Sequence, residues 1–215
     1  MDDATLVAVV PSPDMRSVVS ESLNRDLARI SSWCKLWGMK LNPNKTQSMI
    51  VSRSRTIQPR HPDLLIDNVP LVTDDSFKIL GVLFDSKLTF ESHIRAVSSS
   101  IAQKLGLLRK SLKIFGDLSI LMKCFNAFIL PCFEYCSPVW FSAADSHLKL
   151  FDKNLNAFKF LIPGLTTDLW HRRSISSLCM LFKIYNNPKH PLHSELPNLF
   201  QPVRVTIVEA KMTLS

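Results

Sequence analysis

Residues 89–116, TFESHIRAVSSSIAQKLGLLRKSLKIFG, form the stretch that decides the architecture of the second half of the chain. Apolar side chains return every three or four residues, which places them on one face of an α-helix. They are Phe90, Ile94, Val97, Ile101, Leu105, Leu108, Leu112 and Phe115. Thr89 is suited to cap the start of this helix. The spacing therefore predicts a long amphipathic helix that runs to about Ile114, with its apolar face in a core.

The residues that follow predict more helices. Gly116 and Asp117 are expected to end the long helix and to cap the next one, which runs to about Leu130. Two further helices are expected over residues 144–162 and 169–186, after which prolines interrupt the pattern. We therefore predict an all-helical part over residues 87–186 and an irregular tail over residues 187–215.

The first 86 residues have a different character, in which short strands surround one helix. Leu23, Leu27, Ile30, Cys34 and Trp37 predict a helix over residues 17–37 that Gly38 ends. Apolar and β-branched runs predict an acidic turn and strand within residues 1–10, and strands at 49–51, 64–66, 71–72 and 77–84. Asp67-Asn68 is expected to turn a hairpin, Gly81 to mark a bulge or a close backbone approach, and residues 53–62 to form a loop. The pattern predicts an α+β fold with a boundary near residue 86.

Composition and charge restrict the classes of function. Of the 215 residues, 46% are apolar and 20% are charged, which is typical of a folded protein. Only 5 residues are glycine, and this scarcity disfavours a glycine-rich nucleotide-binding fold. The net charge of +8 attracts polyanions such as nucleic acid or an anionic membrane, although charge alone selects neither.

The five cysteines and the apolar stretches bear on the compartment. The number of cysteines is odd and no Cys-x-x-Cys occurs, so a disulfide scaffold is not expected. Cys132 and Cys136 are spaced to share a helical face, with Cys124 two turns earlier, which leaves buried thiols and a zinc site as alternatives. The most apolar stretch, Cys124 to Phe141, is interrupted by polar residues and prolines, and the N-terminus is acidic. We expect an intracellular protein, cytoplasmic or nuclear, without a signal peptide or membrane segment.

Five segments, in this order, resemble those of a known family. They are Met1-Asp2-Asp3, residues 33–46 (WCKLWGMKLNPNKT), residues 77–82 (FKILGV), residues 130–140 (LPCFEYCSPVW) and residues 168–173 (DLWHRR). Together they resemble the C-terminal palm and thumb of the reverse transcriptases of non-LTR retrotransposons, LINE-type elements of the jockey group. The likeness covers roughly residues 1–195, and the ordered series is much more specific than two adjacent aspartates alone.

The resemblance implies a partial palm over residues 1–86, made of short antiparallel strands and one helix, followed by a helical thumb and connection over residues 87–186. It implies RNA-directed DNA synthesis, in which a nucleotide is transferred to the 3′-hydroxyl of a DNA primer on an RNA template. By the same likeness, the fingers and the palm strand with the other catalytic aspartate lie outside this chain. We therefore expect the isolated chain to be inactive.

The same resemblance implies roles for individual residues. Asp2 and Asp3 are the expected catalytic residues and ligands of Mg²⁺, which prefers carboxylate oxygens. Lys45 is expected to approach the incoming nucleotide, and Leu80 with Gly81 is expected to grip the primer. Cations of the long helix are expected to contact the nucleic-acid backbone: Arg95, Lys104, Arg109, Lys110 and Lys113.

Each of these residues also has a plainer interpretation. The acidic pair is also typical of a solvated N-terminus, Lys45 of a surface turn, Gly81 of an edge-strand bulge, and the helix cations of a solvated face. His171, Arg172 and Arg173 either touch phosphate or pair locally at a helix start. The tryptophans are expected to anchor the core: Trp33, Trp37, Trp140 and Trp170.

Two further functions stay open from the sequence. A residual nucleic-acid-binding fragment would lose affinity steeply with salt and show little sequence preference. A non-functional transposon relic would lack a cooperative unfolding transition. No sequence feature indicates the oligomeric state.

Overall fold

The computed structural model describes the backbone of residues 3–10, 13–52, 63–196 and 206–213. Side chains are described for the same residues apart from 3–4, 13, 112–115 and 206–213. The chain divides into two compact units, one formed by residues 1–88 with 202–215 and the other by residues 89–201. The first unit is mixed α/β, and the second is helical where it is described. The expected loop over residues 53–62 lies outside the described residues.

The first unit is built on strands β1 (Asp3–Val10), β2 (Gln47–Val51), β5 (Val72–Thr73) and β8 (Thr206–Thr213). They form one sheet in the order β1, β8, β2, β5. β8 runs antiparallel to both neighbours, and β5 runs parallel to β2. Two predictions were wrong here. The strands are not all antiparallel, and part of the tail that was expected to be irregular is a strand. β8 pairs with strands on both of its sides, and both partners lie far from it in the chain.

One helix, α1 (Arg16–Leu36), packs against this sheet. Its buried side chains Leu23, Leu27 and Cys34 recur at the predicted spacing and join a core with apolar residues of β1 and β2. Complete burial of one leucine contributes about 1.5–3 kcal/mol. Gly38 follows with φ of +69°, the left-handed conformation in which helices commonly end. The predicted helix and its end are thus confirmed.

A first hairpin joins β3 (Leu65–Ile66) to β4 (Val69–Pro70). Asp67 and Asn68 form its turn, with φ of 50° and 66°. Positive φ at both central residues is what a tight two-residue hairpin turn requires, and Asp and Asn adopt it readily. The turn predicted at this dipeptide is confirmed.

A second hairpin joins β6 (Ser76–Ile79) to β7 (Val82–Asp85). Leu80 and Gly81 form its turn, with φ of 46° and 87°. The prediction of one strand over residues 77–84 with a bulge at Gly81 was wrong. Gly81 instead reverses the chain, because the two halves of the stretch pair with each other.

The second unit consists of helices that surround one aromatic core. The described helices are α2 (Glu91–Phe115), α3 (Leu118–Cys124), α4 (Leu130–Glu134), α5 (Ser137–Trp140), α6 (Asp145–Leu161) and α7 (Leu169–Tyr185), with a π-helical segment, Phe125–Ile129, between α3 and α4. The four predicted helices are confirmed, and the second continues to Glu134. The short α5, which has Pro138 in its first turn, was missed.

Caps at the helix starts follow the predicted chemistry. Thr89 Oγ1 accepts a hydrogen bond from the Glu91 N–H at 3.3 Å. The carboxylate of Asp117 accepts one from the Ser119 N–H at 2.7 Å, directly after Gly116 at φ of +64°. Each side chain satisfies a backbone donor that the helix itself leaves unpaired.

Aromatic rings from several helices form the centre of the second unit. Phe133, Phe151, Phe158 and Trp140 are each at most 1% exposed. The Phe133 and Phe151 centroids are 5.6 Å apart, and those of Trp140 and Phe151 are 5.4 Å apart. Such edge-to-face pairs contribute about 0.5–1.5 kcal/mol each beyond the area that they bury. α2 packs against α6 through the apolar face that predicted it.

The tryptophan prediction holds at one position of four. Trp140 is buried, whereas Trp33, Trp37 and Trp170 are 52%, 70% and 68% exposed. Trp33 lies off the buried stripe of α1, which runs through residues 23, 27, 31 and 34, and Trp37 lies just beyond the end of that helix. A large aromatic residue near a helical stripe is therefore not sufficient evidence of burial.

The five cysteines are free thiols, but only Cys34 is buried, whereas Cys124, Cys132 and Cys136 are half-buried and Cys179 is exposed. Cys132 and Cys136 do not share a continuous helix, because Cys136 has φ of +52° at the break between α4 and α5. No helix in the described part of the chain is both long enough and apolar enough to cross a lipid bilayer.

Candidate functional site

Asp3 and Lys45 lie at the same end of the sheet. Thr5 of β1 pairs with Lys211 of β8, which also pairs with Gln47 of β2. Asp3 and Lys45 each lie two residues earlier in the chain than their paired neighbours in β1 and β2. Since adjacent strands lie about 4.8 Å apart, β1 and β2 are separated by about 10 Å across β8. An acidic and a basic position thus lie at the same end of the sheet, with β8 between their strands.

The turn that holds Lys45 is tightly bonded. A single 3-10 turn spans Pro43–Lys45, and Asn42 Oδ1 accepts a hydrogen bond from the Asn44 N–H at 3.1 Å. Thr46 is fully buried, and its Oγ1 donates to the Asn42 carbonyl at 2.9 Å. The backbone of Lys45 is fixed while its side chain is exposed. The predicted turn is confirmed, and it presents the lysine to solvent.

The described carboxylates near this end are not assembled into a metal site. Asp2 lies outside the described residues, as does the side chain of Asp3. Asp74 follows β5, and its Oδ2 accepts a hydrogen bond from Gln47 Nε2 at 2.6 Å. Because β5 is three strand spacings from β1, Asp74 lies at least about 14 Å from β1. Among the described residues, no group of three or more His, Cys, Asp or Glu side chains could hold a metal ion.

The second hairpin presents an apolar tip. Leu80 is 78% exposed, and Gly81 beside it has a φ that L-residues rarely adopt. A leucine is poorly suited to positive φ, since its Cβ then crowds the following carbonyl. An exposed apolar residue in a strained turn needs an explanation beyond folding.

The cations of α2 fall into distinct environments. Arg95 forms an ion pair with Glu91 at 2.7 Å. Arg109 and Lys110 are exposed near the C-terminal end, and α2 contains no acidic residue after Glu91. The side chain of Lys113 lies outside the described ones. Arg109 and Lys110 thus form an exposed basic segment.

Lys104 differs from the other cations. Its Nζ lies 2.8 Å from Cys132 Sγ and 3.3 Å from the Phe128 carbonyl, to which it donates. These contacts tie α2 to the π-helical segment and to α4. The ammonium is therefore engaged within the second unit, which argues against the expected contact with a nucleic-acid backbone.

Comparisons with known proteins point in one direction. The chain is 28% identical over 140 residues to the probable RNA-directed DNA polymerase from transposon X-element, and 26% identical over 143 residues to that from transposon BS, both of Drosophila melanogaster. It is 24% identical over 131 residues to the RNA-directed DNA polymerase from the mobile element jockey of the same species. These matches cover 60–66% of this chain and 14–16% of the relatives.

The chain is homologous to the reverse transcriptases of Drosophila non-LTR retrotransposons. The resemblance found in five short segments is thereby confirmed. The chain spans about 15% of the length of the curated relatives it matches. No family model and no solved structure matches it.

Two residues of the segment 168–173 are bonded within the second unit. Asp168 caps α7 by accepting the His171 N–H at 3.2 Å. Arg172 forms an ion pair with Glu134, with Nη2 and Oε2 3.2 Å apart. Hydrogen bonding to Glu134 raises the pKa of Arg172. Arg172 therefore lies at a helix start and pairs within the protein, but its partner is on α4 and is not a neighbour in the chain.

Arg173 is buried, which sequence reasoning missed. It is 2% exposed, and its guanidinium carbon lies 5.3 Å from the Trp140 ring centre and 5.0 Å from that of Phe151. Burial lowers its pKa, while the nearby carboxylate of Asp152 opposes that shift. Nε and one terminal nitrogen have no hydrogen-bond partner among the described residues. Its spacing of four residues from the buried Leu169 was the signal that could have revealed it.

Proposed function

We propose that this chain forms the C-terminal palm and the thumb of an RNA-directed DNA polymerase. The whole protein would add deoxynucleotides to the 3′-hydroxyl of a DNA primer paired with an RNA template. The observation that carries this proposal is the homology to relatives that are themselves named RNA-directed DNA polymerases. Because the chain spans a small part of those relatives, the activity is proposed for the whole protein.

The end of the sheet supports a role in nucleotide transfer. Polymerases of this kind use two metal ions about 3.5–4 Å apart, held by carboxylates that converge from separate strands. We propose that Asp2 and Asp3 supply carboxylates for Mg²⁺ in the whole protein. Lys45, fixed at the same end of the sheet, would approach the triphosphate, where an ammonium offsets developing negative charge.

The turn of the second hairpin supports a contact with the primer. Positive φ costs a residue such as Leu80 roughly 1–2 kcal/mol. Strain of this kind is typical of sites that bind a ligand. Gly81 carries no side chain that would obstruct a sugar or phosphate. We propose that the primer end lies against Leu80 and Gly81.

The exposed basic segment of α2 supports contact with a nucleic-acid duplex. Arg109 and Lys110 would bind phosphates, which requires no particular base sequence. Arg95 contributes less because Glu91 already neutralises it, and Lys113 is proposed to extend the segment. The same observation favours the second candidate function, nucleic-acid binding without catalysis, for the chain on its own.

Binding of an RNA–DNA primer–template by the purified chain tests this interface. The double variant Arg109→Ala/Lys110→Ala should bind more weakly, and the slope of log affinity against log salt should fall by about one for each phosphate that the variant no longer binds. Lys149→Ala/Lys153→Ala removes two exposed cations from α6 and is the matched control. Equal reductions in affinity for both variants would assign the effect to net charge, and no binding at low salt would refute the interface.

A primer-extension assay tests catalysis by the chain alone. With Mg²⁺, deoxynucleotides and a primed RNA template, we expect no extension, because the chain spans only about 15% of the length of the RNA-directed DNA polymerases that it matches. Template-dependent extension that Asp2→Ala abolishes would show that the chain is itself a polymerase.

A further inference from the structure

Helix α7 carries two apolar faces, and only one of them is buried. Leu169 and Ile184 lie on the inner face. On the opposite side, Ile175, Leu178, Phe182 and Tyr185 step by three, four and three residues, which makes a second stripe along the helix. These four side chains are 46%, 64%, 68% and 68% exposed. A helix that is apolar on both faces is normally covered on both.

The outer face forms one wall of a groove of about 1050 Å³. Leu178, Leu181, Phe182 and Tyr185 line it from α7, and Leu196 closes it from the following turns. Among the described residues at the groove, Lys183 is the only acidic or basic side chain apart from His193, whose Nδ1 lies 3.0 Å from the Ile184 carbonyl. The groove is therefore almost uniformly apolar, and it is contained within the second unit.

We propose that a second copy of this chain covers this groove, with α7 of each copy packed antiparallel against α7 of the other. A two-fold interface uses the same patch on both copies, and the outer stripe meets that condition because it is apolar along its whole length. A stable interface buries roughly 800 Å² per partner. Six exposed apolar side chains offer an area of that order, four that line the groove (Leu178, Leu181, Phe182 and Tyr185) and two that lie outside its lining (Ile175 and Leu192).

The charges on α7 favour the antiparallel arrangement. In a pair centred between Leu178 and Cys179, Lys183 of one copy lies opposite Ser174 of the other, so no like charges meet. Arg172 is held by Glu134 of its own chain. Opposed helix dipoles are also favourable. A single lysine gives little attraction for an acidic partner, and the net charge of +8 is screened beyond about 8 Å at physiological salt.

Sedimentation velocity of the purified chain over a micromolar concentration range tests the proposal. We expect a concentration-dependent dimer. Phe182→Asp should weaken the dimer by roughly tenfold or more, because it places a charge in the centre of the interface. Phe160→Asp is the matched control, since Phe160 is 88% exposed on α6 of the same unit and away from the groove. Helical circular dichroism of both variants checks that each is folded.

Cross-linking at Cys179, which also lines the groove, gives a second measurement that needs no destabilising change. A short bismaleimide should join two copies, and Cys179→Ser should abolish the product while the more buried cysteines remain. A folded chain that stays monomeric throughout the range, with Cys179 modified singly and never cross-linked, would overturn the proposal and leave the groove open for another occupant. A dimer that Phe182→Asp and Phe160→Asp weaken equally would overturn the location on α7.

Discussion

Asp67 links the first hairpin to α1. Its Oδ1 accepts hydrogen bonds from Lys35 Nζ and from Ser31 Oγ, each at 2.8 Å. The bond from Lys35, followed by that from Ser31, lowers the pKa of the Asp67 carboxyl below its usual 3.8. Because the pKa is depressed in the folded state, ionised Asp67 stabilises the fold above pH 3.8, and this contribution is lost as the pH falls through the folded-state pKa.

We expect Asp67→Asn to lower the free energy of unfolding at neutral pH while it preserves the turn, because asparagine also adopts positive φ readily. The difference from the unaltered chain should shrink as the pH falls below 3.8. Urea denaturation at neutral and acidic pH measures it. Asp26→Asn is the control, since its exposed pair with Arg29 spans 3.5 Å and contributes little. A difference that is independent of pH would contradict an ionic origin.

Two substitutions of Arg173 should change the free energy of unfolding by different amounts. Arg173→Ala leaves a cavity between Trp140 and Phe151, so we expect unfolding free energy to fall by about 2–5 kcal/mol. Arg173→Met fills similar space without burying a charge, and should cost less than about 1 kcal/mol or stabilise the fold. Arg172→Ala removes an exposed ion pair and should cost less than about 1 kcal/mol. Chemical denaturation measures all three, and equal decreases for Ala and Met would show that the charge itself stabilises the core.

Residue roles were predictable from sequence where the chemistry is local. Asp117 and Asp67-Asn68 were identified correctly because a cap or a turn depends on neighbours in the chain. The engagement of Lys104 by Cys132 and the burial of Arg173 depend on distant residues that belong to other helices, so charge and composition could not reveal them. The roles expected for Asp2, Asp3 and Lys45 stay predictions.

Among the elements, the second hairpin makes a prediction about backbone strain. We expect Leu80→Asn to raise the free energy of unfolding by about 1 kcal/mol, because Asn-Gly is the preferred pair for a two-residue hairpin turn and leucine is strained there. Gly81→Ala should lower it, since alanine resists a φ of 87°. Thermal denaturation of the two variants measures the effect. If Leu80→Asn were destabilising, the exposed leucine would be holding the hairpin in place through packing.

Long helices were the most predictable elements because their apolar spacing repeats over many residues. α2, α6 and α7 were all recognised in this way. The hairpin at residues 76–85 was read as one strand because its two halves have the same β-branched and aromatic character, and Leu80 is not a typical turn residue. A turn that contains a residue uncommon in turns, such as Leu80, is therefore not recognised from the sequence pattern.

For the whole molecule, β8 should control the stability of the first unit. Truncation after Gln201 removes β8, and we expect amide protons of β1 and β2 to lose protection from hydrogen exchange, because β8 pairs with both strands. Helices α6 and α7 should keep their protection. Truncation after Thr213 is the control, since it leaves β8 intact. Unchanged protection in β1 and β2 would show that the two strands do not depend on β8.

The order of the sheet could not be predicted from sequence. β8 is separated from β1 in the chain by the whole helical unit, so the alternation of apolar and polar residues from Val208 to Thr213 does not show which strands it joins. The likeness to reverse transcriptases, by contrast, was recognisable from short segments such as residues 33–46 and 130–140, because their residue order is specific even where their structure is not. For the whole chain, the likeness of short segments to known proteins was thus recognisable, whereas the order of the strands in the sheet was not.

On the ribosome, the two units finish in the reverse of the order in which they start. β1 and α1 emerge first, but β8 emerges only after residues 89–201 have been translated. The helical unit is therefore complete while the edges of β1 and β2 still lack their shared neighbour. Open strand edges promote aggregation. The yield of folded chain consequently depends on how quickly translation covers that interval and on whether chaperones shield those edges meanwhile.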